Sequence, residues 1–403
     1  MRVYSDIVES MMIWARSFKD RWPTFRFAIG LVFLICLASC RFADEAATPT
    51  LLPSPTALAT QEISPTDQAV ETDSVPGLSA EETESLSSLR KVDDFPLYTM
   101  HYAGSYGEPI AELNGQGSEE SSNEAAQTLE QTWACSLFAA FGANSVVGAS
   151  SGDSSGMLYG RNFDWRFSPA LLLFTDPPGG YASVSMVDIE YLGYGGERSA
   201  ELDQLPLGER VRLLDAPMIP FDGMNEMGLV MGMAAVPPGD IQPDPDKEVI
   251  GSLGVIREVL DHASDVDEAV AIIANYNVDM GDGPPLHYLI ADATGQGVLV
   301  EFFRGEMIVI PNQLPWHRAT NFLRSAHDDS AEGVCRRYDE LGQTLEEKEG
   351  QLSTTEAMDL LQRVSQENTQ WSIVYGMNSG EVQIAMGREY DNLHIFGMEG
   401  DGG

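Results

Sequence analysis

The sequence predicts an α+β domain in which two sheets pack between helices. Three observations carry this. Short strand-like runs recur after residue 135, helical periodicity fills 254–276 and returns beyond residue 329, and strand signals close the chain. Strands, helices, strands, helices and strands in that order suit layers packed around a shared core. The stretch from Lys91 to Gly403 is long enough for one large domain.

The elements follow in order. "FPLYTMHYAG", Phe95 to Gly104, alternates apolar and polar residues like a strand. Residues Glu108 to Glu130 are rich in Glu, Ser and Gly and read as an exposed loop. Strand signals then come in "CSLFAAF", "GMLYGRNFDW", "YASVSMVDIEYLGY" and "MGLVMGMAAV". "SPALLLFTDPPGGY", Ser168 to Tyr181, reads as a core strand and turn. Gly254 to Tyr276 carries apolar residues at helical spacing. "LHYLIADATGQGVLVEFFRGEMIVI" reads as a hairpin turned at Thr294–Gly295. Helices are expected near Asp329 to Leu345 and over Thr354 to Glu367, followed by strands in "QWSIVYGMNSGEVQIAMG" and "LHIFGM".

The N-terminal residues indicate export. Arg2, Arg16, Lys19, Arg21 and Arg26 precede the apolar run Phe27 to Leu37, which is too short to span a bilayer. It ends in "LASC", a pattern resembling a bacterial lipoprotein signal. The expectation is a signal peptide over 1–39 and lipidation of Cys40, which would anchor the chain on the outer face of the cell membrane. Arg41 to Asp94 has eleven acids against three bases, five prolines and almost no aromatic residues. That composition cannot bury enough apolar surface to order itself, so 40–94 reads as a disordered tether.

Charge excludes one class of partner. The net charge is −39, and 42 acids against 15 bases lie between Cys135 and the C-terminus. A nucleic-acid-binding protein needs a basic face, so none is expected. The histidines are scattered without metal-ligand spacing, so neither a metal nor another cofactor is expected. With Cys36 removed and Cys40 lipidated, Cys135 and Cys335 remain, and in an oxidising compartment the pair opens the alternative of a disulfide.

The motifs in chain order supply the other reading of Cys135. "C-S-x-F" is followed by "GRNFDW", "DGMNEMGL", "LHYLIADATGQGVLVE", "ATNF" and "RRY". This series resembles the choloylglycine hydrolase and acid ceramidase-like linear amide hydrolases, over essentially all of Cys135 to Gly403. The resemblance implies a four-layer αββα N-terminal nucleophile fold over 135–403, with 95–134 as a pro-segment. It also implies that Cys135 becomes the first residue after autoproteolysis at Ala134–Cys135, its own α-amine acting as general base. An α-amine has an ordinary pKa near 7.7–8.0, so a small depression leaves it able to take the thiol proton.

By the same resemblance Arg161 lies near the thiol, Asp164 accepts from the α-amine, Asn321 donates to the oxyanion, and Arg337 completes the series. An amide donor suits an oxyanion because it needs no change of protonation. Arg336 is the adjacent rival of Arg337, and Asn225 is a candidate substrate contact that could equally support a turn. Residues three apart in a strand face opposite ways, so Arg161 or Asp164 must sit at a bend or strand end. Bile-salt-cleaving relatives carry a second oxyanion asparagine where this chain has Ala235.

The expected substrate is a small-molecule amide with an apolar acyl group, its pocket walled by Leu171 to Phe174 and Met227 to Val236. The alternatives are acyl transfer on the same fold and a non-catalytic, disulfide-bonded binding lipoprotein.

Overall fold

Nine of the described strands are buried along their whole length, and the others are partly exposed. The computed structural model describes residues 77–107, 135–142, 156–327 and 331–398. The expected signal peptide, most of the tether, the Glu108–Glu130 loop and Ala134 lie outside these residues. The described residues all belong to the unit Glu71–Gly403.

The strands run β1 (Arg90–Asp93), β2 (Leu97–Tyr102), β3 (Ser136–Ala140), β4 (Leu158–Asp164) and β5 (Ala170–Thr175). Next come β6 (Ser183–Asp188), β7 (Asp222–Asn225), β8 (Val230–Ala235), β9 (Glu248–Gly251) and β10 (Tyr276–Asp279). They continue with β11 (Leu286–Ala291), β12 (Gly297–Phe303), β13 (Glu306–Pro311) and β14 (Trp316–Ala319). β15 (Thr369–Gly376), β16 (Val382–Met386) and β17 (Leu393–Phe396) close the chain. The helices are α1 (Ala80–Ser87), α2 (Gly254–His262), α3 (Val266–Ala274), α4 (Arg336–Glu347) and α5 (Thr354–Val364).

One sheet of nine strands has the order β1-β2-β5-β6-β7-β8-β11-β12-β13, and one of six the order β14-β3-β4-β15-β16-β17. Helices α2 and α3 cover the larger sheet, while α4 and α5 cover the smaller. The sheets face each other: the Tyr159 hydroxyl on β4 donates to the Leu289 carbonyl on β11 at 2.9 Å. Gly232 on β8 permits this approach, since a Cβ there would lie 2.6 Å from the Tyr159 hydroxyl. The expected α+β αββα layering is thus present. β3 shows how alternation builds it. Leu137 and Ala139 join the core between the sheets, while Phe138 and Ala140 pack with Leu341, Leu345 and Leu361 under the helices.

Several expectations are corrected. The tether does not run to Asp94, because α1 starts at Ala80 behind a Ser79–Glu82 capping box and β1 pairs with β2. Leu86 and Leu89 are buried, the apolar anchors that overcome the polar composition around them. The periodic stretch 254–276 is two helices, since Asp265 turns its side chain onto the Glu268 N–H and caps the second. Helix α4 begins at Arg336 rather than near Asp329. The hairpin at Thr294–Gly295 is present, with Gly295 at φ 93°, and a third strand, β13, extends it. Between Ile189 and Met218 the chain runs largely as short 3-10 turns, which the strand pattern did not signal.

Candidate active site

Cys135 stands immediately before β3, in the register whose side chains enter the space between the sheets. It is 4 % exposed. Burial pushes its thiol pKa up, opposed by the positive charge of Arg161 and Arg337 and by a backbone hydrogen bond from Asp164. Both Cys135 and Cys335 are free, so the disulfide expected under the binding-lipoprotein alternative is not formed. Cys335 packs instead with Phe322, Ala331 and Tyr338 at the start of α4.

Arg161 on β4 shares the inner face with Tyr159 and Phe163. Its guanidinium donates to the Phe221 carbonyl at 3.0 Å and forms a salt bridge with Asp222, both side chains fully buried. Asp222 in turn accepts from the Tyr375 hydroxyl at 2.5 Å. A buried charge pair needs further partners, and here a backbone carbonyl and a tyrosine supply two, while Arg161 Nε and Nη2 are buried without a hydrogen-bond partner. Asp222 opens the quoted "DGMNEMGL" motif but carried no assigned role. An acid that begins a strand beside a buried arginine is the signal by which it could have been found.

Asp164 resolves the spacing problem raised by the sequence. It is the last residue of β4, and the β4–β15 register shifts between Thr369 and Trp371. The irregularity lets Asp164 work alongside Arg161 although the two are three apart. Its Oδ1 accepts from the Thr369 hydroxyl at 2.5 Å, and its Oδ2 is buried without a hydrogen-bond partner. Burial raises its carboxyl pKa from 3.8 to about 7, against the opposing pull of Thr369 and Arg337.

Asn321 and Arg337 arrive from the far side of β3. Strand β14 pairs with β3, Ala319 opposite Leu137, which brings the following Asn321 to the Cys135 end of the strand. The Asn321 amide donates to the Ala235 carbonyl at 2.8 Å. Its Oδ1 accepts from Arg337 at 3.2 Å. Arg337 also donates to the Cys135 carbonyl and, at 2.9 Å, to the Ser136 hydroxyl. Five of the residues read from the sequence therefore converge: Cys135, Arg161, Asp164, Asn321 and Arg337.

Asn225 does not join them. Its amide donates to the carbonyls of Leu260 (3.0 Å) and Ala263 (2.7 Å), and its oxygen accepts from the N–H groups of Met227 and Leu229. With two donors and two acceptor positions used, nothing is left for a substrate, and the residue holds a turn.

A pocket opens beside Cys135 and Asp164. Its walls include Phe163, Trp165, Tyr191, Phe221, Met233 and Met280. Of the two segments expected to line it, only the second contributes, through Met233 and Ala235. Leu171 to Phe174 is strand β5, buried inside the large sheet.

Residues 150–316 match the family model of the linear amide C-N hydrolases, choloylglycine hydrolase family. Over these residues the chain is similar to that family. The matched segment holds Arg161, Asp164 and Asp222, while Cys135, Asn321 and Arg337 flank it. The family acts on carbon–nitrogen bonds in linear amides, and this enzyme is of that class.

Solved structures of similar fold include a penicillin V acylase from Agrobacterium tumefaciens, at 14% identity. It covers 66% of this chain and 86% of its own, with a TM-score of 0.44. A mutant conjugated bile acid hydrolase from Clostridium perfringens is 16% identical over 65% of this chain and 92% of its own, TM-score 0.43. A Caenorhabditis elegans N-acylethanolamine-hydrolyzing acid amidase ortholog is 15% identical over 60% and 93%, TM-score 0.38. The layering of this enzyme rests on its own strand order and contacts.

Proposed function

We propose that this enzyme hydrolyses N-acyl amides with Cys135 as the nucleophile, after scission of the Ala134–Cys135 bond turns Cys135 into a chain N-terminus. The supporting observation is the meeting of a buried cysteine, a buried carboxyl with a free oxygen, two arginines and an amide donor at the mouth of an apolar pocket. In scission, the Cys135 sulfur attacks the Ala134 carbonyl, the acyl group shifts to sulfur, and water releases it, leaving a free α-amine. The unpartnered Oδ2 of Asp164 is then available to accept from that amine.

In turnover the amine takes the thiol proton and sulfur attacks the substrate carbonyl. The second hydrogen of the Asn321 amide stabilises the oxyanion, Arg337 fixing the amide by holding its oxygen. The leaving amine takes up the proton, and water cleaves the acyl-enzyme. An apolar acyl group fits the aromatic and methionine walls.

Intact-mass analysis tests this reading. Wild type should give a chain starting at Cys135, and Cys135→Ala should stay uncut and inactive. An uncut wild type with full amidase activity would overturn it. We also propose that Cys40 is lipidated and holds the enzyme on the outer face of the membrane, the signal-like "LASC" being its support. Wild type should then partition with membranes and Cys40→Ala should not. Equal partitioning of both would remove that part of the reading.

A further inference from the structure

The quoted "LHYLIADATGQGVLVE" motif ends in Glu301, a fully buried carboxylate on β12. One oxygen accepts the Arg324 N–H at 2.7 Å and the other the Ser325 N–H at 2.8 Å. A third partner is His287 Nδ1 on neighbouring β11, at 3.1 Å. Since the carboxylate can only accept, His287 Nδ1 carries the proton. Burial alone would raise the Glu301 pKa, yet His287 and the Ser325 N–H hold it below the usual carboxylate range. Glu301 is therefore ionised, and its bonds are of the stronger, charge-assisted kind.

What these bonds hold decides their meaning. Arg324 and Ser325 open the 3-10 turn Arg324–Ala326, whose own preceding residue, Leu323, offers no side-chain cap. The first N–H groups of any helical turn lack partners within it, and here a carboxylate from another strand supplies them. The turn starts three residues after Asn321. On its other side Asn321 is fixed by β14, paired to the nucleophile strand. The Asn321 loop is thus clamped between two anchors, one at β3 and one at Glu301.

We propose that Glu301, oriented by His287, is a positioning residue that fixes the Asn321 amide where it meets the developing oxyanion. This inference rests on the oxyanion role given to Asn321 above. The carboxylate acts only through the backbone of 321–325 and touches no substrate. Glu301→Gln puts an NH₂ group against one of the N–H groups it now serves, which frees one end of the loop.

The test is a double-mutant cycle on the full-length enzyme with N-octanoyl aminocoumarin as probe. Glu301→Gln should lower kcat about 10- to 100-fold, the scale expected when a catalytic group is displaced by about 1 Å, with KM nearly unchanged. The rate of Cys135 alkylation by iodoacetamide, which needs no oxyanion donor, should stay within about twofold of wild type. In an Asn321→Ala background Glu301→Gln should add nothing, because the group it positions is gone.

Should Glu301→Gln fail to fold, His287 gives the same information. His287→Gln keeps a donor for Glu301 and should retain most of kcat, whereas His287→Leu should lose it. Additive losses from Glu301→Gln and Asn321→Ala, a slowed alkylation, or identical His287→Gln and His287→Leu enzymes would overturn the inference while leaving the Asn321 reading intact. Full activity of Asn321→Ala alone would overturn both.

Discussion

Asp164 offers the sharpest test of the site's electrostatics. Consider a Cys135→Ala chain, which under the proposed scission keeps the peptide bond after Ala134 and never acquires the α-amine. In it the Asp164 carboxyl stays buried with one oxygen unpartnered. Its pKa is 3.8 unfolded and about 7 folded. Between those values the folded state holds a proton that the unfolded state has lost. Stability is therefore fully present below pH 3.8 and falls as pH rises through about 7.

The whole rise corresponds to roughly 4 kcal/mol between the two protonation states. Adding Asp164→Asn removes that slope and keeps the Thr369 hydrogen bond, since the amide oxygen can still accept it. The double variant should match Cys135→Ala near pH 3.8 and exceed it above neutrality, by about 5–10 °C in Tm for a domain of this size. Thermal unfolding followed by circular dichroism across that range measures it. Parallel pH profiles, or a less stable double variant at pH 8, would refute the claim that burial sets the Asp164 pKa.

Two further outcomes concern the supports and the pocket. Tyr375→Phe leaves an oxygen of Asp222 unpaired in the interior and should cost about 1–3 kcal/mol in urea unfolding with the m-value unchanged. For N-acyl amides, kcat/KM should rise nearly fourfold per added methylene, about 0.8 kcal/mol each, until the pocket is full. Ala235→Leu, which thickens the wall beside Met233, should move that limit to shorter acyl chains, and a flat response to acyl length would contradict the apolar pocket.

Much of the fold could be read locally. The alternation of β2, the hairpin at Thr294–Gly295 and the helical spacing of α5 each follow from residues a few positions apart. The failures were local readings too. Eleven acids and five prolines made 41–94 look uniformly unfolded, but the Ser79–Glu82 box and buried Leu86 are enough to start a helix within it. Asn225 looked available because an asparagine after a strand is ambiguous until its four hydrogen-bond partners are placed. Leu171 to Phe174 looked like a pocket wall because an apolar run does not say which cavity it faces.

The candidate site divides along the same line. Cys135, Arg161 and Asp164 are separated by short spacings, and Asn321 and Arg337 by one loop, so a motif could carry them. Their supports come from far away. Asp222 lies 61 residues from Arg161, and Thr369 lies 205 from Asp164. Those pairings exist only because β4 runs beside β15 in one sheet and faces β7 in the other. Once β4 is placed there, an inward-facing arginine must find an anion, and Asp222 on the opposite sheet is the anion it finds. A carboxylate at the strand end must either find donors or take up a proton. Thr369 supplies one donor, and the high pKa of Asp164 shows that one is not enough. Under the proposed scission, the freed amine of Cys135 is the second.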